Sequence, residues 1–129
     1  MDVKHFNTSK VTNIAGMFQS CTSLEELDLS SFDTSNVTSM SATFRECSKL
    51  SSLDLSNFNT DKVTSMWYMF RDCVNIKTLN ISNFNTQNVT NWTSFFGNIP
   101  TTIQIITNQD TKNWILEKFP TYTNITVVE

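Results

Sequence analysis

Three cysteines, Cys21, Cys47 and Cys73, recur at a constant step of 26 residues, and thiols in such a series could bridge or hold a metal. Zinc wants four ligands at paired short spacings, and the only histidine, His5, falls outside the series. A disulfide is the second alternative. The third follows from the common phase, which puts all three thiols on the inward face of successive units as small apolar filler. Packing is the expectation, with no metal and no cofactor. Three thiols reactive in the native state would remove it.

A second series is acidic: Asp2, Asp28 and Asp54, continued by Asn80 and Gln104. On neighbouring strands ~4.8 Å apart such carboxylates repel by ~1 kcal/mol in water, which is tolerable. Calcium takes six or more oxygen ligands, more than one row of Asp flanked by Ser supplies. The row is therefore expected as a solvated strand face, able to dock a cationic or hydroxyl-rich partner. Trp67 and Tyr68 stand where the other units carry Ala15-Gly16, Ser41-Ala42 and Thr93-Ser94. A helical wheel puts Trp67 beside the apolar stripe and Tyr68 outward, both partly exposed, as interface anchors and sugar platforms are. Trp92 shares the column of Ile14, Met40 and Met66 and is expected in the core. Acid–base or covalent catalysis has no players: one His, no glycine-rich phosphate loop, no nucleophile with a base at motif spacing. The chain is not expected to be an enzyme.

The elements that position these residues follow from the same step. Phe6, Phe32, Phe58 and Phe84 keep it, as do Val11, Val37, Val63 and Val89 and Phe18, Phe44, Phe70 and Phe96; Thr8, Thr34, Thr60 and Thr86 keep it too. Within a unit, Val37, Met40, Phe44 and Cys47 are spaced as one face of a helix, with Asp33, Thr34 or Ser35 to cap its start. Leu53 and Leu55 alternate with Ser52, Asp54 and Ser56 in the period of a strand. The pattern C-x-x-L-x-x-L-x-L-x-x-F at Cys47–Phe58 fits a leucine-rich type of repeat. The expected fold is α/β: a right-handed leucine-rich-repeat-like solenoid of about four 26-residue coils. A parallel sheet would form one face and short helices the other.

The residues Leu29-Ser-Ser-Phe-Asp-Thr-Ser-Asn-Val-Thr-Ser-Met40 and Phe70-Arg-Asp-Cys73, with the Leu-Asp-Leu-Ser that follows, resemble a bacterial surface-protein 26-residue repeat. That repeat occurs in mycoplasma-type lipoproteins and cell-wall-anchored proteins and is related to the BspA-like leucine-rich proteins. The resemblance covers residues 1 to about 99 and implies a surface-displayed scaffold, cell-surface or secreted, tied to adhesion or recognition. It implies no catalytic residues.

The ends depart from the pattern. Met1–Phe6 aligns with Leu27–Phe32, so the chain is expected to open inside a strand, with an uncapped edge that invites self-association or signals residues cut away upstream. Light scattering reporting a clean monomer counts against edge pairing. Ile99 stands at the cysteine position, Pro100 shortens the bend, and Ile103-Gln-Ile105 resumes the strand early. Asn108–Lys118 reads as a helix capped by Asn108 or Asp110 and stopped at Pro120, with Trp114, Ile115, Leu116 and Phe119 as its apolar side. Asn124–Val128 reads as a last strand. Residues 1–99 are thus four repeats and 100–129 a strand–helix–strand cap of one domain.

Composition limits the partner. With 9 Lys+Arg against 12 Asp+Glu the charge is −3, and no basic patch is available for a nucleic acid. No apolar run reaches the length of a membrane span. The expected role is adhesion or protein–protein recognition of a host or matrix protein or a glycan. It would use the polar strand face: Glu26, Asp28, Ser30, Ser52, Asp54, Ser56, Thr78, Asn80 and Ser82. The alternatives are a structural spacer that binds nothing, and a weak glycan module using Trp67 and Tyr68.

Overall fold

A computed structural model describes residues 1–128. It is α/β, with one open four-stranded parallel sheet and one helix among the described residues. The strands are β1 (Ser52–Asp54), β2 (Thr78–Asn80), β3 (Gln104–Thr107) and β4 (Ile125–Val127), in the order β1-β2-β3-β4. Leu53 pairs with Leu79 and Leu79 with Ile105, all three buried, so the repeat step of 26 residues is also the sheet register. Helix α1 (Gln109–Lys118) connects β3 to β4.

The helices expected over Val37–Cys47 and its counterparts are not there; the chain makes consecutive tight turns instead. The reason lies in where the backbone groups go. The N–H groups of Met40, Ala42, Phe44 and Glu46 donate to the carbonyls of Ser65, Trp67, Met69 and Arg71 in the next unit, at 2.8–3.0 Å. Those of Thr43, Arg45 and Cys47 donate three residues back, to Met40, Ala42 and Phe44. Every second donor thus leaves its own unit, and an i→i−4 ladder cannot form. The same scheme links Ile14–Ser20 to Ser39–Arg45 and Met66–Asp72 to Asn91–Gly97. Parallel bridges join Asn13, Ser39, Ser65 and Asn91 on this side.

Such turns need left-handed residues at fixed places. Gly16, Ala42, Tyr68 and Ser94 form one column with φ of +51° to +68°, and Ser20, Glu46, Asp72 and Asn98 form another at +55° to +64°. Seven of these eight carry a Cβ, at a cost of ~1–2 kcal/mol each. The inter-unit hydrogen bonds, at ~0.5–1.5 kcal/mol apiece, offset it.

Between the two ladders the apolar columns stack on themselves. Phe18, Phe44 and Phe70 lie with ring centroids 5.8 and 5.7 Å apart and nearly parallel, and Phe32 stacks on Phe58 at 6.5 Å. Buried threonines tie the units from inside. The Thr34 hydroxyl donates to the Asn59 carbonyl at 3.0 Å and accepts from the Asn59 N–H at 2.8 Å. Thr8 does the same with Asp33, and Thr60 with Asn85. Thr34 was expected among the helix caps; it is an inter-unit clamp.

No strand forms at Met1–Phe6 or Leu27–Leu29, so the expectation that the chain opens inside a strand is corrected. Side chains do the linking there. The Asn57 amide donates to the carbonyls of Leu29 and Phe32 at 2.9 and 3.0 Å, and Lys4 Nζ lies 3.4 Å from Asp28. Phe6, whose column mates are buried, is 50% exposed.

The C-terminal end follows local rules. Asn108 caps α1 by accepting from the Thr111 N–H at 2.9 Å, Asp110 sits in the first turn and Lys118 in the last, each where the helix dipole favours it. Ile115 is fully buried, and Phe119 stacks on Phe95 and meets Trp92, Phe96 and Trp114 edge-on. Trp92, expected in the core, is only partly buried: it packs against the core's edge, with the Lys118 ammonium 4.8 Å over its ring. The buried Tyr122 hydroxyl reaches the carbonyls of Phe96 and Ile99, both at 3.1 Å.

Candidate functional site

The polar strand face is built by alternation. Leu53 and Leu79 turn inward, so Ser52 and Asp54, and beside them Thr78 and Asn80, turn outward in pairs. Glu26, Asp28 and Ser30 lie alongside without a ladder. Asp28, Ser30, Asp54 and Ser56 are exposed, whereas Thr78, Asn80 and Ser82 are half-buried.

A local job accompanies exposure. Asp28 Oδ1 accepts from the Ser30 N–H at 3.0 Å and from its hydroxyl at 2.6 Å. Asp54 and Asn80 accept from the N–H groups of Ser56 and Ser82, and Asp2 from that of Lys4. Each is an Asx-turn that bends the chain out of the strand. The Ser30 bonds, aided by Lys4, hold the Asp28 carboxyl below its usual range. One oxygen per carboxylate is thus committed to the fold; the second oxygen of Asp28 faces Lys4 Nζ at 3.4 Å.

Trp67 and Tyr68 lie on the turn ladder, apart from the strand face. Their order of exposure is the reverse of the helical-wheel expectation: Trp67 is 37% exposed, and Tyr68 is half-buried. Tyr68 has a φ of +59°, and its ring lies between the guanidiniums of Arg45 and Arg71, at 5.1 and 4.8 Å. Trp67 meets it edge-on at 4.8 Å. A positive φ swings the side chain off the wheel position, which is why helix geometry misassigned the pair. The flanking arginines were not singled out by sequence reasoning, although they stand one period apart, each followed by a carboxylate, Glu46 or Asp72.

The cysteines are free. Cys47 and Cys73 are buried and Cys21 is only partly so, a correction to the expectation that all three face inward, because Cys21 has one fewer unit packed over it. The Cys47 thiol donates to the Phe18 carbonyl and that of Cys73 to the Phe44 carbonyl, at 3.2 and 3.0 Å. Burial pushes Cys47 up to about 11 and Cys73 up to about 12, so both are neutral thiols and weak nucleophiles at pH 7.

No helix among the described residues is long and apolar enough to cross a membrane. No curated protein and no solved structure matches the chain. The family model described as "Mycoplasma protein of unknown function, DUF285" matches residues 1–114, running past the last repeat column into α1. With hydrogen bonds that step through the chain at the repeat period and a family model spanning most of its length, the chain belongs to this Mycoplasma family of unknown function.

Proposed function

We propose that the chain is a non-enzymatic recognition module: a right-handed solenoid of about four leucine-rich-type coils over residues 1–99, closed by a cap at 100–129. It would be displayed at the surface or secreted, as in BspA-like proteins, and would present its polar strand face to a protein or glycan. The observation that carries this reading is the repeated Asx lock at Asp28, Asp54 and Asn80. A lock on one oxygen holds the side chain in a single pose, so ordering it costs a partner little, and the same pose recurs at each unit. The test is a screen of immobilised matrix proteins and glycans, followed by Asp28→Lys with Asp54→Lys. Binding should fall at least about tenfold; undiminished binding sinks the strand-face assignment.

A second reading, the spacer that binds nothing, draws on the same locks, since they already give each Asp and Ser a reason to be there. It predicts an empty screen. The glycan reading rests on Trp67, whose indole is partly exposed beside Tyr68, and Trp67→Ala separates it from the strand face.

A further inference from the structure

The rim beyond the carboxyl ends of β2 and β3 carries a groove of about 680 Å³, lined among others by Asp61, Asn85, Thr86, Gln87, Asn108 and Asp110. It opens where the repeat stops. Thr8, Thr34 and Thr60 each clamp the backbone of the following unit, the last through bonds of 2.8 and 2.7 Å to Asn85. Thr86 is the fourth member of that column. The residue one step beyond Asn85 is Thr111, which lies in α1 with its N–H on the Asn108 side chain and its hydroxyl on the Phe84 carbonyl. The Thr86 hydroxyl therefore has no hydrogen-bond partner among the described residues, and Thr86 lines the groove instead.

The charge in the groove has one sign. Asp61 accepts from the Asn85 amide at 3.1 Å through Oδ1, and neither Asp61 nor Asp110 enters any of the four ion pairs among the described residues. Three of the lining amides are already engaged, those of Asn83, Asn85 and Asn108, the last donating to the carbonyls of Ser82 and Phe84; that of Gln87 is not, among the described residues.

We propose that this groove binds an extended peptide segment carrying a basic side chain. Thr86 would hold the carbonyl and N–H of one residue of the segment, as Thr60 holds those of Asn85. Asp61 and Asp110 would take the ammonium or guanidinium, whose charge-assisted bonds are the stronger kind. The groove borders the strand face at Ser82, but the groups proposed to hold the peptide, Asp61, Thr86 and Asp110, lie outside that face.

The test is an NMR titration of the 129-residue chain with acetyl-Ala-Lys-Ala-amide at low salt, beside the all-alanine and glutamate peptides. Saturable shifts are expected at residues 82–87 and 108–110 with the lysine peptide alone. Asp61→Asn with Asp110→Asn should weaken binding about tenfold. Thr86→Val should weaken the peptide roughly threefold while leaving 1,5-diaminopentane, a cation with no peptide unit, unchanged. Asp28→Lys with Asp54→Lys should not matter, whichever way the surface screen turns out. No saturable shift in the groove, equal shifts with the glutamate peptide, or unchanged affinity in the double variant would overturn the proposal. All five substituted side chains are exposed or half-exposed, and the amide spectrum itself reports whether each variant folds.

Discussion

Residues 40–47 carry apolar residues at spacings of three and four, α1 carries Trp114, Ile115 and Leu116 in a row, and both must satisfy a run of backbone N–H groups. Their answers differ. In residues 40–47 alternate donors go to the next unit, and those of Thr43, Arg45 and Cys47 go three residues back. In α1 the backbone closes on itself, with Asn108 supplying the first cap and Phe119 N–H returning to the Ile115 carbonyl at 2.7 Å. The first segment has a neighbour in identical conformation one period away. The second has no copy of itself to bond to. A repeated backbone therefore becomes its own hydrogen-bonding partner, and strongly enough to hold non-glycine residues such as Ala42 and Tyr68 at positive φ.

If that is the difference, cutting the inter-unit clamps should cost more than cutting the helix cap. Thr60→Val removes a donor and an acceptor from partly buried partners on Asn85, at up to ~1–3 kcal/mol for each group left unsatisfied. A urea midpoint unchanged by this substitution would mean the threonine ladder carries no load. Raising the pH probes the same stack. The folded Cys47 and Cys73 thiols, pushed up to about 11 and about 12, keep their protons while the unfolded thiols, near 8.5–9, lose theirs. Their stabilisation is thus complete below about pH 8.5 and is lost as pH climbs toward 11–12. Linkage gives roughly 1.5–2 kcal/mol per thiol by pH 10. Cys47→Ala with Cys73→Ala should flatten that part of the stability–pH profile; a slope identical to the parent's contradicts the burial.

Asn108→Ala strips both the cap of α1 and a clamp on the Ser82 and Phe84 carbonyls, with an expected loss of ~1–2 kcal/mol. The finest contrast uses one replacement in two places. Ala42→Gly, at φ +56°, should stabilise by up to ~1 kcal/mol by relieving the left-handed strain. Asn113→Gly, exposed within α1, should destabilise by a few tenths of a kcal/mol. Thermal melts giving the two the same sign would erase the distinction between the segments.

Much of the scaffold was readable from the residues. The period, the inward Leu53 and Leu55, the stacked phenylalanines and the Asn108 cap all rest on local spacing or on the repeat itself. The helical assignment of Val37–Cys47 failed because burial at three- and four-residue spacings marks one inward face and does not say where the N–H groups go. Candidate sites were legible as columns of polar residues, and Asp28, Asp54 and Asn80 do line one face. Their commitment to Asx-turns was not visible, nor was the Arg45–Tyr68–Arg71 stack, because both depend on distances of a few ångströms between groups placed by neighbouring units.

By itself, then, the sequence determined the step of 26 residues, the apolar columns and the point where repetition ends. Those depend only on which residues recur. The tertiary structure decided that turns replace helices, that Trp67 is more exposed than Tyr68, and that Thr86 is left without the backbone its column mates hold. Each of these is a property of contacts between units, and a hydrogen bond from one unit to the next has no trace in the spacing within either.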